Sequence, residues 1–149
     1  MSQTHKIGII GGGSWATALV KILGNNVNRI NWFLRDQTNI DYIKKYHHNK
    51  NYLSSIRFDT QKIEFYNRMN AIVRDSDILI FVIPAAFLNN ALTGLRENLK
   101  NKIVVSAIKG IIPNDNLIVA DYIQKYFNIS LNHFIVIGGP CTAEEIALE

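Results

Sequence analysis

The chain has 149 residues, the size of one ordinary domain and enough to bury a core, which excludes a miniprotein held together by disulfides. Sixteen Lys and Arg against twelve Asp and Glu leave a net charge of +4, with 19% charged and 48% hydrophobic residues. That composition is globular rather than disordered, and the modest basic excess suits an anionic small ligand as well as it suits nucleic acid. The one cysteine, Cys141, can form neither an intrachain disulfide nor a zinc site, which points to a reducing compartment and a cytoplasmic location. No stable membrane insertion is expected: the longest apolar run, residues 78–88, contains Pro84 and falls short of the roughly 20 residues a span requires.

In chain order, the β-branched run at residues 6–10 predicts a first strand, closed by glycines before a signal peptide could develop. A helix follows over residues 15–23, with Gly24-Asn25-Asn26 as a left-handed stop. Residues 29–34 read as the second strand and 39–46 as the second helix. The segment from Lys44 to Lys50 reads as a solvated loop, because adjacent His47 and His48 lack the spacing to share a metal ion. Strands are expected at 62–65, 77–83, 102–107 and 134–137, with helices at 87–99 and 117–127 from apolar residues at three and four spacing. The strand at 77–83 is apolar at nearly every position, so it should be covered on both faces. Six strands alternating with helices predict an α/β fold, a doubly wound, mostly parallel sheet with helices on both faces, in one domain. After the last strand, Thr142 with Glu145 three residues on is the signature of a capped helix start; since the chain stops at Glu149, more chain is expected to follow in a parent protein.

The strongest chemical signal is the opening glycine segment. Gly11-x-Gly13-x-x-Ala16 follows a strand and opens a helix, which is the context of a dinucleotide fingerprint of the Rossmann type. Gly11 permits the tight turn, Gly13 lets a pyrophosphate approach the backbone, and Ala16 is small enough for close helix packing. The free N–H groups of the first helical turn and the positive end of its dipole would hold the phosphates. No Gly-Lys-Ser or Gly-Lys-Thr follows, which excludes a triphosphate-binding loop. The second strand ends in Arg35-Asp36, where the adenosine ribose is read. Asp36 would favour the free hydroxyl of NAD, while Arg35 could hold the 2′-phosphate of NADP or stack on the adenine. Lys109, next to Gly110 after the fifth strand, places a cation where the nicotinamide should lie and could polarise a carbonyl or pair with an anionic substrate. Cys141 has no nearby His and reads as a small residue in a tight turn rather than a nucleophile.

These residues resemble a known family. Gly11-Gly12-Gly13-Ser14-Trp15-Ala16-Thr17-Ala18 is similar to the Gly-x-Gly-x-Trp-Gly-Thr-Ala opening of the NAD(P)-dependent glycerol-3-phosphate dehydrogenases, with Ala16 in place of the third glycine. Four further matches follow in order: Asn49-Lys50-Asn51-Tyr52-Leu53, Pro84, Lys109-Gly110, and Gly139-Pro140-Cys141-Thr142-Ala143-Glu144-Glu145. The resemblance implies that Ser14, Trp15, Arg35 and Ala143 contact the dinucleotide, that Lys109 lies between nicotinamide and substrate, and that Gly139 and Cys141 line the substrate site. Cys141 stands where the family often has Ser or Thr, which would replace a hydroxyl hydrogen bond by a weak thiol contact. The implied reaction interconverts sn-glycerol 3-phosphate and dihydroxyacetone phosphate with NAD or NADP, as a supply of glycerophospholipid precursor. The family's general acid or base lysine and its phosphate-binding residues lie in a later helical domain, so this chain alone is expected to bind cofactor without turning over. Association into a homodimer through exposed apolar surface is a further expectation. Another dehydrogenase with a helical second domain and a stand-alone dinucleotide sensor are the alternatives, and no nucleic-acid partner is expected.

Overall fold

The computed structural model describes residues 5–138 and 142–148. Strands β1 (Ile7–Ile10), β2 (Ile30–Phe33), β3 (Ile63–Tyr66), β4 (Ile78–Phe81), β5 (Ile103–Ser106) and β8 (Phe134–Val136) form one sheet in the order β3-β2-β1-β4-β5-β8. Every pairing in it is parallel, for example Ile9 opposite Trp32 on one side and Ile80 on the other. The order reverses at β1 and β4, and that switch point is where an open α/β sheet leaves a crevice at the carboxyl ends of its strands. Helices α1 (Ser14–Asn26), α2 (Gln37–Tyr46), α3 (Met69–Asp75), α4 (Ala85–Leu92), α5 (Val119–Phe127) and α6 (Ala143–Leu148) connect and flank the strands. Successive side chains of a strand face opposite sides, so Ile9, Trp32 and Ile80 enter one core cluster, while Ile10, Leu79 and Phe81 enter another. This is the two-sided burial that the apolar run of β4 requires.

Several elements depart from the sequence reading. Helix α1 does not stop at Gly24; it runs to Asn26 and ends in extended backbone at Val27, whose N–H donates to Leu23 O at 2.8 Å. Gly24 stays helical, and its carbonyl accepts from Lys62 Nζ at 3.2 Å. The left-handed stops lie instead at His47 after α2 and Asn128 after α5, with φ of 61° and 51°. The helix expected over 39–46 is present as α2, so that Lys44, Lys45 and Tyr46 are helical and the expected solvated loop is confined to the residues after them, where Asn49 is instead fully buried.

The helix expected over 87–99 is shorter and earlier. Pro84 sits at its N-cap and Leu92 ends it, because Thr93 is extended and Gly94 adopts a φ of +79° that disfavours any other residue. Leu99 is nonetheless buried, which explains why the apolar spacing continues past the helix end. Residues 117–118 are not helical. They form β7 (Leu117–Ile118), paired antiparallel with β6 (Ile111–Ile112) around the turn residues Pro113, Asn114, Asp115 and Asn116. Helix α3 was not foreseen, since it buries only Ile72 and Val73 and so leaves no helical period to detect.

Candidate functional site

The glycine segment joins β1 to α1 at the switch point. Gly11 has a φ of +145°, and a Cβ on it would overlap the Val82 carbonyl oxygen at the end of β4. A side chain here would push the first crossover off the sheet, so Gly11 acts on strand packing as well as on the turn. Gly13 differs: nothing lies within 4 Å of a Cβ built on it, so the space above it is open to a ligand.

All three glycine carbonyls are held on the protein side. Gly11 O accepts from Trp32 Nε1 at 2.7 Å, Gly12 O from Asn49 Nδ2 at 3.2 Å, and Gly13 O from both the Thr17 amide and the Thr17 hydroxyl at 2.9 Å. Asn49 also donates to Thr17 Oγ1 at 3.1 Å and accepts from the Asn51 amide at 3.1 Å. The amides of Ser14, Trp15 and Ala16 precede the first intrahelical bond, which Thr17 donates. They are left without helical acceptors. No side chain caps α1 and no acidic residue stands in its first turn, so the positive end of its dipole is uncompensated by the chain itself.

In front of these amides lies a cleft of about 650 Å³. Gly13, Ser14, Trp15 and Ala16 form one wall, and Val82, Ile83 and Pro84 after β4 form a second. Ala107, Ile108 and Lys109 after β5 close a third side, with Ile137, Gly138 and Ala143 completing the lining. Most of these side chains are apolar, and Lys109 is the charged group among them. A mostly apolar cleft with a few convergent polar groups is the usual form of a small-molecule site. Its donor set and lining fit a dinucleotide: open space over Gly13, unpartnered amides for the pyrophosphate, and apolar side chains against which a ring can pack.

Of the residues singled out in the sequence, Gly13, Ser14, Trp15, Ala16, Lys109 and Ala143 share this cleft. Gly11 lies beneath it. Ala16 is buried in the core cluster that also holds Ile9 and Ala18. Gly139 and Cys141 lie outside the described residues. Arg35 does not line the cleft; it stands exposed beyond β2, whose Phe33 O accepts from the Gly11 amide at 3.3 Å. Its neighbour Asp36 is engaged elsewhere as the N-cap of α2, where its carboxylate accepts from the Thr38 amide at 2.9 Å and the Thr38 hydroxyl at 2.8 Å. Those bonds, from the hydroxyl and then the amide, hold the Asp36 carboxyl below its ordinary pKa.

Sequence reasoning missed the three residues that aim the glycine backbone. Trp32 reads as part of the second strand, Thr17 enters only as part of the first helix and a resemblance motif, and Asn49 enters through a second such motif and a segment read as a solvated loop. An Asn within a polar stretch carries no signal that it will be wholly buried.

A family model described as the NAD-dependent glycerol-3-phosphate dehydrogenase N-terminus matches residues 6–149. The chain is 32% identical to a glycerol-3-phosphate dehydrogenase (NAD(P)+) of Lawsonia intracellularis, in an alignment covering 100% of this chain and 44% of that protein. To the enzyme of the same name from Halalkalibacterium halodurans it is 31% identical, over 95% of this chain and 41% of the other. Among solved structures, the Plasmodium falciparum glycerol-3-phosphate dehydrogenase superposes with a TM-score of 0.84 at 26% identity, over 97% of this chain and 43% of that one. The Coxiella burnetii enzyme gives 0.83 at 20% identity, covering 97% of this chain and 44% of that one, a likeness of fold. The chain thus spans less than half the length of the curated relatives it matches.

Proposed function

The chain belongs to the NAD-dependent glycerol-3-phosphate dehydrogenase family, whose N-terminal part it matches, and from that membership we propose that it is the dinucleotide-binding half of an enzyme interconverting sn-glycerol 3-phosphate and dihydroxyacetone phosphate. One observation carries the reading: Ser14, Trp15 and Ala16, whose amides have no helical acceptor, and Lys109 line a single cleft at the switch point of the sheet. The amides of Ser14, Trp15 and Ala16 bind the pyrophosphate of NAD or NADP, and Trp15 with Ile108 and Ile137 encloses the ring. Ala143, at the start of α6, closes the cofactor side.

A bound nicotinamide supplies or takes up the hydride at C2 of the substrate. Lys109 orients that substrate and polarises its C2 oxygen, and Gly139 and Cys141 form the neighbouring substrate wall. The proton on the same oxygen is exchanged with a general acid or base in a helical domain that follows in the longer protein, which also holds the substrate phosphate. The enzyme works in the cytoplasm, in line with its single cysteine, and feeds glycerophospholipid synthesis. Among the described residues no helix is long and apolar enough to cross a membrane. Two copies of the chain associate through β8, the edge of the sheet, where Ile135 and Val136 are exposed and residues 131–136 carry no Lys, Arg, Asp or Glu.

The test has two arms. The 149-residue chain is titrated with NADH and NADPH, and a longer protein containing it is assayed for nicotinamide oxidation dependent on dihydroxyacetone phosphate. Binding together with that activity is the expected result; binding without activity on any triose phosphate would remove the substrate assignment and leave the cofactor site.

A further inference from the structure

A run of glycines can turn its peptide planes over at little cost, because no Cβ ties a plane to one side. Gly11, Gly12 and Gly13 form such a run. Among the described residues no peptide bond is cis, so the carbonyl of each residue and the amide of the next point in opposite directions. The way a plane faces therefore decides whether a ligand at the turn meets an N–H or a C=O. An anion requires the N–H, since a row of backbone amides attracts it and a carbonyl oxygen repels it.

Two side chains from outside the turn set these planes. Trp32 on β2 is wholly buried and donates from Nε1 to Gly11 O at 2.7 Å. Its ring is held in turn, edge-on to Phe58 with centroids 5.4 Å apart and tilted against Phe65 at 5.9 Å. Asn49, equally buried, donates from Nδ2 to Gly12 O at 3.2 Å and to Thr17 Oγ1 at 3.1 Å, while its Oδ1 accepts from the Asn51 amide. That last bond fixes which way the carboxamide faces. With the Gly11 and Gly12 carbonyls turned onto Trp32 and Asn49, the Gly12 and Gly13 amides face away from those side chains. Among the described residues neither amide has a hydrogen-bond acceptor. Gly13 lines the cleft, and Gly12 beside it is partly exposed. The two amides thus extend the unpartnered row at Ser14, Trp15 and Ala16.

We propose that Trp32 and Asn49 are positioning residues for the cofactor: by holding the Gly11 and Gly12 carbonyls inward, they present the Gly12 and Gly13 amides to the phosphates of the dinucleotide. This rests on the cofactor reading of the cleft given above. Neither side chain lines the cleft, and each acts through one peptide group. The Trp32 indole N–H, the peptide between Gly11 and Gly12, and a phosphate oxygen form one chain of hydrogen bonds. Binding at the phosphate end polarises the peptide and strengthens the indole bond at the other end. A tryptophan that only filled the core would pack in the same way without sensing the phosphate.

The test is NMR of the isotopically enriched 149-residue chain with NADH as the probe. The chain has two tryptophans, Trp15 and Trp32, and a Trp15→Phe chain identifies the indole signal of Trp32. On saturation with NADH that signal is expected to move downfield and to exchange with deuterium at least about fivefold more slowly, with the Gly12 and Gly13 amide signals moving too. Trp32→Phe keeps an aromatic ring and removes the donor, so it should weaken NADH about fivefold in a chain that urea denaturation shows to be folded. In an Asn49→Ala chain the Gly13 amide should lose its response to NADH while the Gly12 amide keeps it. Three results would each overturn the proposal and leave the cleft a cofactor site: a Trp32 indole signal unmoved while the Ser14 and Trp15 amides respond, a folded Trp32→Phe chain that binds NADH like the parent, or a Gly13 response unchanged by Asn49→Ala. Should either variant fail to fold, the indole and glycine signals of the parent decide. Absence of any response to NADH in the parent would overturn the cofactor reading itself, and this proposal with it.

Discussion

Two of the three adjacent glycines, Gly11 and Gly13, have different jobs, and single substitutions separate them. A Cβ on Gly11 meets the Val82 carbonyl at a φ of +145°, whereas a Cβ on Gly13 meets nothing within 4 Å. Gly11→Ala is therefore expected to cost about 2–3 kcal/mol of stability, seen as a lower urea midpoint. Gly13→Val should keep the parent midpoint and lose more than about tenfold in nucleotide affinity, because its branched side chain occupies the pyrophosphate's space. A Gly13→Val chain that binds NADH undiminished would remove the fingerprint from the argument. Asn49 acts at the same scale by a different route. Asn49→Ala leaves the Gly12 carbonyl without its buried partner and the Thr17 hydroxyl with Gly13 O alone, a loss of about 1–3 kcal/mol. It should also weaken nucleotide binding, since the freed carbonyl can rotate toward the site. Denaturation and titration of the same preparation check both effects.

At the scale of elements, the boundary between β2 and α2 is set by Asp36. Its carboxylate caps α2 through Thr38, and its pKa is lowered on folding, first by the Thr38 hydroxyl and next by the Thr38 amide. A carboxyl with a lowered folded pKa stabilises the fold above its unfolded value and loses that contribution as the pH falls through the folded value. Asp36→Ala is therefore expected to be less stable than the parent at neutral pH. The difference should shrink as the pH falls below the ordinary carboxylate value of 3.8. Urea midpoints of parent and variant measured from neutrality down to about pH 2 would show the two curves converging. Helix ends elsewhere follow comparable local chemistry: Gly94 stops α4 through its backbone conformation, while Asn26 extends α1 by donating from Nδ2 to Ile22 O at 2.8 Å.

Across the whole molecule, the cleft draws its walls from the ends of β1, β4 and β5 and from α1 and α6, so nucleotide binding should tighten the domain as a unit. Nucleotide at a hundred times its Kd should add about 2.7 kcal/mol, a rise of roughly 5–10 °C in Tm for a domain of this size. A thermal shift confined to noise at saturating NADH and NADPH would contradict the cofactor site. The exposed edge at β8 makes a second whole-molecule prediction: Val136→Lys should move sedimentation equilibrium toward monomer, because charge on an edge strand blocks pairing with a second copy. Parent and variant sedimenting alike would place any association elsewhere.

What the sequence determined by itself is the class of fold and the place of the site. Six β-branched runs alternating with helical segments specify a doubly wound sheet, and all six appear within two residues of their expected bounds. Glycines between the first strand and the first helix, with Lys109 after the fifth strand, locate the cleft, because the parallel sheet brings strand ends together at one edge. Tertiary structure decided what no local pattern encodes. It carried Asn49 from a polar stretch into full burial against Gly12 and Thr17. It turned Asp36 onto Thr38. Periodicity records which face of an element is apolar, but a hydrogen bond between residues more than thirty positions apart depends on the packed positions of whole elements. The sequence therefore located the site, while tertiary contacts decided how its backbone is aimed.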